Sequence, residues 1–408
     1  MRIFARLIFS ALILLVFYFV LGLNFRLYFS PEYTVYDHEL YSQLKYLQAR
    51  REAGASQKMQ DIFPEGLMFF ESLYGLAWCD FISELDPDSE LYREGINEID
   101  NALAVIGTEE SLSIFMGETL LKYGAFYTGW SNRLLGRKLE VLPINKRDKA
   151  EIKIFKENCE RVSNALRISK IPFLETYPAE AWPADVCVCV SSLAIHDRIF
   201  PDKYDLVLKN WISHVKARLD SSGLIPHSVY WRTGEVLEEA RGSSQSLILS
   251  FLPEIDHSFS REQYAVFKSM FLEKRLGLSA IREYPRGAEG TGDIDSGPVI
   301  WDIGTASTIV ASRAAFANGD FQLVKELNNG IEEFGFPDIK DGKKYFLGGY
   351  LDIGDVFIAW TRSKRSDYDG PPWWRLEFQL WSLLVIALNF LLLYLIWREF
   401  VFIRKLKI

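Results

Sequence analysis

Asp185 has the sequence surroundings of a catalytic carboxylate. It follows Trp182-Pro183 and begins a segment of small and apolar residues. Proline suits the first turn of a helix, where the helix dipole stabilises a negative charge. The simple interpretation is that Asp185 caps this helix. The alternative, which we carry forward, is an ionised general base that faces a cavity beside Trp182.

Glu118 is the predicted partner of Asp185. It lies between Phe115-Met116 and Leu120-Leu121, in a segment that we interpret as an apolar helix. Burial would raise the pKa of such a carboxyl group and make it a candidate general acid. The alternative is a structural ion pair with Lys122, four residues further along the helix.

A glycine-rich stretch contains two further aspartates. Asp293 and Asp295 lie in a loop of about 28 residues, and loops of that length are usually functional or disordered. We interpret it as a structured active-site loop, with Asp295 catalytic and Asp293 binding substrate. The Asp-Ile-Asp alternation also allows a calcium site, but the further oxygen ligands of an EF-hand are missing.

The remaining candidate residues come from two other segments. The stretch 227–241 is typical of a β-hairpin across a cavity mouth, and it leads into an apolar helix that contains Gln245. The junction at 63–75 crowds aromatic and acidic residues before another apolar segment. The predicted substrate-binding residues are Trp182, Tyr230, Arg241, Gln245, Asp293, Glu71, Tyr74 and His227. With one histidine at this mouth, no zinc site is expected, and the sequence predicts neither a metal nor a cofactor.

The apolar periodicity of the chain predicts the helices that position these residues. It predicts helices at 36–54, 64–85, 87–106, 111–136, 146–168, 183–198, 202–219, 243–254, 257–275, 304–317, 319–333 and 353–364. Wholly apolar segments alternate with segments that carry charged stripes, as inner and outer helices do. The prediction is an all-α protein, an (α/α)6 barrel of six helical hairpins. A helical solenoid is the alternative, but it would have a fixed sequence period.

An uncharged apolar run lies near each end of the chain, at Leu7–Leu23 and Phe378–Trp397. Each is long enough to cross a bilayer as a helix. The predicted division is an anchor at 1–30, a barrel at 31–370 and a second span with a basic tail at 371–408. Arginine and lysine at both extremes predict cytoplasmic termini and a periplasmic or otherwise extracytoplasmic barrel, in a bacterial inner membrane. The alternative for the first run is a cleaved signal peptide.

The composition of the chain limits the classes of partner that it can bind. The net charge is −8, and the cationic ends leave the middle of the chain more acidic still, which disfavours a nucleic-acid partner. The four cysteines show no framework spacing, so we expect buried free thiols rather than disulfides. The expected partners are the membrane and a small-molecule or glycan substrate, and self-association stays open.

Three stretches of the chain resemble the linalool dehydratase/isomerase family. They are Gly117–Gly124, Pro172–Arg198 and Gly287–Gly304 followed by Ala314–Asp320. The resemblance runs weakly over about residues 60–355 and implies an (α/α)6 barrel with an acid/base site at its mouth. Glu118 stands where that family has a histidine, and Asp185 aligns with a reactive cysteine.

This exchange of residue types shapes the functional hypothesis. Two carboxylates in place of histidine and cysteine resemble the chemistry of the (α/α)6 glycoside hydrolases, in which an acid and a base flank the glycosidic bond. We therefore expect an acid/base lyase or hydrolase that acts on an envelope glycan. The alternatives are dehydration or isomerisation of a small lipophilic alcohol, and a non-catalytic module that binds a glycan or a protein.

Overall fold

The computed structural model describes residues 2–28, 38–294, 296–364, 368 and 370–405. Within these ranges the chain is mostly helical, and its strands form four short antiparallel hairpins. The α-helices are α1 (Arg2–Tyr28), α2 (His38–Glu52), α3 (Ala55–Ile62), α4 (Gly66–Ile82), α5 (Glu90–Ile106), α6 (Glu109–Ser113), α7 (Gly124–Val141), α8 (Lys149–Ile168), α9 (Pro183–Ile199), α10 (Asp205–Lys216), α11 (Gly242–Ile255), α12 (His257–Phe271), α13 (Thr305–Ala317), α14 (Phe321–Phe334), α15 (Asp352–Arg362) and α16 (Leu376–Lys405).

The hairpins connect or precede helices. They are β1 (Ser228–Val229) with β2 (Val236–Glu238), β3 (Leu272–Arg275) with β4 (Leu278–Ile281), β5 (Val299–Ile300) with β6 (Ile303–Gly304), and β7 (Asp338–Lys340) with β8 (Lys343–Tyr345). The β1–β2 pair confirms the hairpin predicted after His227. The β3–β4 pair replaces the last turn of the predicted helix 257–275, because Leu276 and Gly277 both take a positive φ and reverse the chain.

Six helices contact one another in a closed cycle. Helix α4 packs against α7, α7 against α9, α9 against α11, α11 against α13, α13 against α15, and α15 against α4. These helices are largely buried, as their unbroken apolar sequences predict. Close approach depends on small residues: a Cβ on Gly129 of α7 would lie 3.0 Å from the backbone nitrogen of Cys189 on α9.

Each helix of the cycle has an outer partner. Helix α5 packs on α4, α8 on α7 and α9, α10 on α9, α12 on α11, α14 on α13, and α2 on α15 and α4. The outer helices are amphipathic, with one buried stripe and one charged face. The division of the segments into apolar and striped helices therefore assigned α9, α11 and α13 correctly to the inside and α5, α8, α10, α12 and α14 to the outside.

One predicted helix is wrong. The segment 111–136 forms α6 and α7, with an irregular stretch between them. Tyr123 and Gly124 take φ values of 67° and 70°, which a right-handed helix cannot contain. A Cβ on Gly124 would lie 2.0 Å from the carbonyl oxygen of Thr176, so the chain turns here in close contact with the loop before α9.

The two terminal helices are long and apolar enough to be candidate membrane spans, over Ile3–Leu27 and Trp373–Arg398. They pack against each other in antiparallel register. Trp397 donates to Ser10 at 2.9 Å, the rings of Phe17 and Phe390 lie 5.6 Å apart, and Asn24 donates to Ser382 at 2.8 Å. Polar contacts between apolar helices fix their register. The predicted domain boundary at residue 30 lies outside the described residues.

All four cysteines are free and buried, as the sequence predicts. Cys79 lies on α4, Cys159 on α8, and Cys187 and Cys189 on α9. Burial raises the pKa of each thiol. The thiols are therefore unreactive groups of the helical core.

Candidate active site

A cavity of about 340 Å³ opens at the end of the helix cycle where the inner helices begin. Ala184 and Asp185 come from the first turn of α9, Ser243 and Ser244 from that of α11, and Ala306 from that of α13. The other lining residues are Glu65, Phe69, Phe126, Tyr177, Trp182, His227, Ser228, Glu238, Leu247, Asp293, Ser296, Val310 and Phe357. The sequence correctly predicted that polar groups collect at these helix starts.

One wall of the cavity is aromatic. The ring of Phe69 lies 5.0 Å from that of Phe126 and 5.5 Å from that of Phe357. The series continues through Tyr177, whose ring is 6.0 Å from Phe126 and 5.6 Å from Trp182. Edge-to-face and stacked contacts of this kind make a rigid apolar surface. Trp182 thus lines the cavity, as the sequence predicts.

Asp185 lines the cavity from the first turn of α9. Pro183 occupies the start of that helix, and the backbone N–H of Asp185 donates to the carbonyl of Trp182 at 3.1 Å. The aspartate is 8% exposed. A carboxylate at this position lies in the favourable field of the helix N-terminus. It therefore combines the helix position and the cavity contact expected of a base.

Glu65 is a carboxylate of the cavity wall that the sequence assignment passed over. It precedes the first turn of α4, and its Oε1 accepts a hydrogen bond of 2.6 Å from the hydroxyl of Tyr177. The sequence pattern indicated the junction at 63–75, but the residues predicted from it were Glu71 and Tyr74. Helical periodicity turns those two residues away from the cavity, whereas Glu65 lies at the open end of the helix.

Arg241 organises the charged wall. Its Nε donates to Oε1 of Glu283 at 2.9 Å, and its Nη1 donates to Oδ2 of Asp293 at 2.5 Å and lies 3.5 Å from Glu238. Burial opposes the ionisation of Asp293, but Arg241 and Ser296 lower the pKa of that carboxyl group to about 2. Asp293 is therefore a fixed negative charge, and Arg241 holds the glycine-rich loop against α11.

Glu283 lies behind this wall and is fully buried. It accepts hydrogen bonds from Ser243 at 2.7 Å and from Ser307, and burial raises its pKa against those hydrogen bonds and the charge of Arg241. Its role is to position Arg241 and the starts of α11 and α13. Nothing in the local pattern of residues singles out Glu283 except its place just before the glycine-rich loop.

His227 lines the cavity as a neutral imidazole. Burial and the positive charge of Arg241 lower its pKa to about 4, and the charge of Asp293 only partly opposes this. Its Nε2 lies 3.7 Å from a carboxylate oxygen of Glu238. Its Nδ1 and the Nη2 of Arg241 are buried, and neither has a hydrogen-bond partner among the described residues. Each of these two nitrogens can therefore still form a hydrogen bond.

Several predicted site residues lie elsewhere. Glu118 is exposed in the irregular stretch between α6 and α7, so its predicted burial is wrong. Tyr230 is 39% exposed on the β1–β2 hairpin and does not line the cavity. Gln245 is buried and donates to the carbonyl of Ile225 at 2.6 Å. Asp295 lies outside the described residues.

Glu71 and Tyr74 are buried on the outward face of α4. Glu71 pairs with Arg51 at 2.6 Å, and the hydroxyl of Tyr74 donates to Glu98 at 2.8 Å. These contacts join α4 to the outer helices, so both side chains are structural. Their prediction as substrate-binding residues is wrong, because proximity to a helix start does not determine which face a residue occupies.

Among the described residues, no group of three or more histidine, cysteine, aspartate or glutamate side chains is arranged to hold a metal ion. No family model matches the chain, and no curated protein matches it. The functional argument therefore depends on the site itself. Carboxyl groups and a neutral imidazole in a cavity that is also lined by aromatic rings can move protons on a bound molecule that has an apolar body and a polar group.

Proposed function

We propose that this protein is a membrane-anchored acid/base enzyme that eliminates water from a small, largely apolar alcohol. One observation carries the proposal: a single cavity is lined by the carboxyl groups of Asp185 and Glu65, by the neutral imidazole of His227 and by a continuous series of aromatic rings. A substrate with one hydroxyl end and one hydrocarbon end matches both kinds of lining.

The proposed scaffold is an (α/α)6 barrel. The closed cycle of inner helices, each with an outer partner, supports this assignment. The resemblance of three stretches to the linalool dehydratase/isomerase family supports it independently. Barrels of this kind place their sites at one end, which agrees with a cavity built from the first turns of α9, α11 and α13.

The proposed topology has two spans with both termini in the cytoplasm. The antiparallel pairing of α1 and α16 brings both chain ends to the side remote from the barrel. Arg2 and Arg6 lie at one end, and Arg398, Arg404 and Lys405 at the other. Since cationic residues stay on the cytoplasmic side, the barrel would be extracytoplasmic. If the membrane is a bacterial inner membrane, the cavity lies in the periplasm.

The cavity walls favour an apolar alcohol over a glycan. A sugar ring carries hydroxyl groups around its whole edge, and each one left against Phe69, Phe126 or Phe357 would lose its hydrogen bonds to water without replacement. A substrate with one hydroxyl group needs only one polar contact, and the buried Nδ1 of His227 and Nη2 of Arg241 have no hydrogen-bond partner among the described residues. Trp182 and Tyr177 still offer faces for a sugar ring, which keeps glycan cleavage as a test outcome.

The chemistry requires an acid and a base. Protonated Glu65 would give its proton to the departing hydroxyl, so that the C–O bond breaks and water leaves. Asp185 would take a proton from the neighbouring carbon, whose C–H electrons form the new double bond. Exchange with solvent returns one proton to Glu65 and removes one from Asp185. Glu65 takes the role that the sequence assigned to Glu118, because Glu118 lies outside the cavity.

The test is a turnover screen of the full-length chain in detergent or nanodiscs. Small tertiary and allylic alcohols are compared with envelope glycans, using Asp185→Asn and Glu65→Gln as the informative variants and Glu118→Gln as the matched control. Dehydration that is lost in the first two and retained in the third is the expected result. Glycan cleavage with the same dependence would identify a hydrolase, and ligand stabilisation without turnover would leave a binding module.

A further inference from the structure

Exposed apolar side chains gather at the base of the two terminal helices. We call this group the apolar foot, and its members are Leu276, Ile300, Trp301, Phe334, Phe336 and Trp373. Trp301 is 70% exposed and Ile300 is 60% exposed. Single exposed apolar residues are ordinary on protein surfaces, but a group next to an apolar helix pair is not.

Direct contacts join the foot to the candidate spans. The ring of Phe334 lies 6.5 Å from that of Phe378 on α16, and the ring of Phe336 lies 5.9 Å from that of Phe19 on α1. The β3–β4 turn packs on the start of α16, because a Cβ on Gly277 would lie 2.5 Å from the Cβ of Glu377. The foot therefore continues the apolar surface of α1 and α16 onto the end of α14 and the β3–β4 hairpin.

The foot also adjoins the cavity. Arg275 at the end of β3 donates to the carbonyl of Trp301 at 3.2 Å, so the β3–β4 and β5–β6 hairpins lie side by side. The β5–β6 hairpin connects the loop that supplies Asp293 to helix α13, which supplies Ala306. One segment thus carries both the tip of the foot and part of the cavity wall.

The conformation of that tip is costly. Trp301 and Asp302 form the turn between β5 and β6, with φ values of 51° and 69°. This turn favours asparagine and glycine, and a bulky residue at positive φ is strained. A tryptophan that is strained, exposed and unnecessary for the turn indicates a role on the surface. Tryptophan is the residue type enriched at the membrane–water interface.

We infer that the cavity end of the helix cycle lies against the bilayer, with the apolar foot inserted at the membrane interface beside α1 and α16. The inference rests on the proposed membrane anchorage and adds the orientation of the barrel to it. A lipophilic substrate would then pass from the lipid to the cavity along the β5–β6 hairpin, without crossing bulk water. The opposite end of the barrel faces the aqueous compartment.

Site-directed spin labelling of the full-length chain in lipid nanodiscs tests this orientation. The native cysteines are all buried with raised pKa values, so an introduced surface cysteine is labelled selectively. The variants are Trp301→Cys at the foot, Leu391→Cys on α16 and Ile144→Cys in the loop after α7. Ile144 is 81% exposed and lies at the far end of the cycle. Collisions with oxygen, which partitions into lipid, are compared with collisions with a water-soluble nickel chelate.

The expected result is an oxygen-to-nickel collision ratio several-fold higher at positions 301 and 391 than at position 144. A label at 301 that is as nickel-accessible as the label at 144, with 391 still lipid-exposed, would overturn the inference and leave the anchorage intact. Nickel access at 391 as well would overturn the anchorage and the inference with it. Bromolipid quenching of tryptophan fluorescence, compared between wild type and Trp301→Phe, gives a label-free repeat: the variant should lose part of the quenching.

Discussion

The two ends of the inner helices use charged residues in opposite ways. At the starts of the helices, Glu65, Asp185, Glu238 and Asp293 line one cavity, and Arg241 is the cation bonded into this wall. Carboxyl groups therefore outnumber cations around an open space. At the other end, acidic and basic side chains meet in close pairs, and the same residue types perform a structural task.

Two pairings dominate the far end. Asp80 of α4 lies 2.6 Å from Arg313, 3.0 Å from Lys364 and 3.1 Å from Arg137. Glu254 of α11 lies 2.5 Å from Arg133 and 2.9 Å from Arg198. Burial opposes ionisation of both carboxyl groups, but the arginines prevail: the pKa of Asp80 is lowered, and that of Glu254 falls to about 2. Cations near helix C-termini also complement the helix dipoles.

This difference separates stability from function. Removing the carboxylate of Asp80 leaves the buried guanidinium of Arg313 without an ion-pair partner among the described residues. The cavity carboxyl groups have fewer cationic partners: Asp293 pairs with Arg241, and Glu65 accepts a hydrogen bond from Tyr177. Mutations at the far end should therefore alter folding, and mutations at the cavity end should alter turnover.

The largest predicted effect is on the free energy of unfolding of Asp80→Asn. Removing the central carboxylate of a buried cluster costs about 3–5 kcal/mol. Since the folded pKa of Asp80 lies below its unfolded value, its stabilising contribution is present above the unfolded pKa and is lost as pH falls toward the folded value. Thermal and denaturant unfolding in detergent measures both effects.

The control for that experiment is Asp205→Asn, because Asp205 pairs with Lys209 on the exposed face of α10. Exposed pairs of this kind contribute about 0–1 kcal/mol. Equal losses of stability in the Asp80 and Asp205 variants would refute a special role for the far-end cluster.

The second prediction is that a substitution at the cavity end changes turnover much more than stability. Asp185→Asn should lower turnover by about 10²–10⁴-fold, the contribution of a positioned acid or base. Its unfolding free energy should change by no more than about 1 kcal/mol, because the amide keeps the shape of the side chain and only part of the helix-dipole interaction is lost. Steady-state kinetics and unfolding of the same preparation measure the two. A variant with a much lower free energy of unfolding but wild-type turnover would contradict the assignment.

The third prediction concerns pH. Unfolded histidine binds a proton below about pH 6.5, whereas folded His227 stays neutral down to about 4. The unfolded state therefore binds more protons in this window, and stability should fall as pH drops from about 6.5 to about 4. Burial and the positive charge of Arg241 lower this midpoint, and the negative charge of Asp293 partly opposes them, while Glu238 lies 3.7 Å from the ring.

His227→Gln should flatten that part of the stability profile, with an effect on the order of 1 kcal/mol for each pH unit. Unfolding midpoints of both proteins between pH 4 and pH 7 measure it. An NMR titration of the wild-type imidazole gives an independent reading, and a midpoint near 6.5 would exclude the buried, neutral histidine described above.

The smallest effect is predicted for Glu118→Gln. This side chain is exposed between α6 and α7 and does not line the cavity. Surface substitutions usually change stability by less than about 0.5 kcal/mol, and turnover should be unchanged. A large loss of activity would mean that the stretch between α6 and α7 closes over the cavity during the reaction.

Local sequence patterns predict the helices and divide them into two classes. Apolar periodicity is a local property, so it located nearly all of the helices, assigned eight of them correctly as inner or outer, and identified the two candidate membrane spans. It failed at 111–136, where the positive φ values of Tyr123 and Gly124 depend on contact with the loop around Thr176. A local pattern cannot report a contact with a distant segment.

Which carboxyl groups share the cavity depends on the tertiary structure. Asp185 lines the cavity, as expected from its place at a helix start, because that place depends on its own helix. Its catalytic role stays a prediction. The choice of Glu65 over Glu71 and Glu118 depends on rotation about α4 and on the turn before α7. The ion pair of Arg241 with Asp293 spans 52 residues, and that of Asp80 with Arg313 spans 233. Closing the helix cycle creates these pairs, and no spacing in the chain records them.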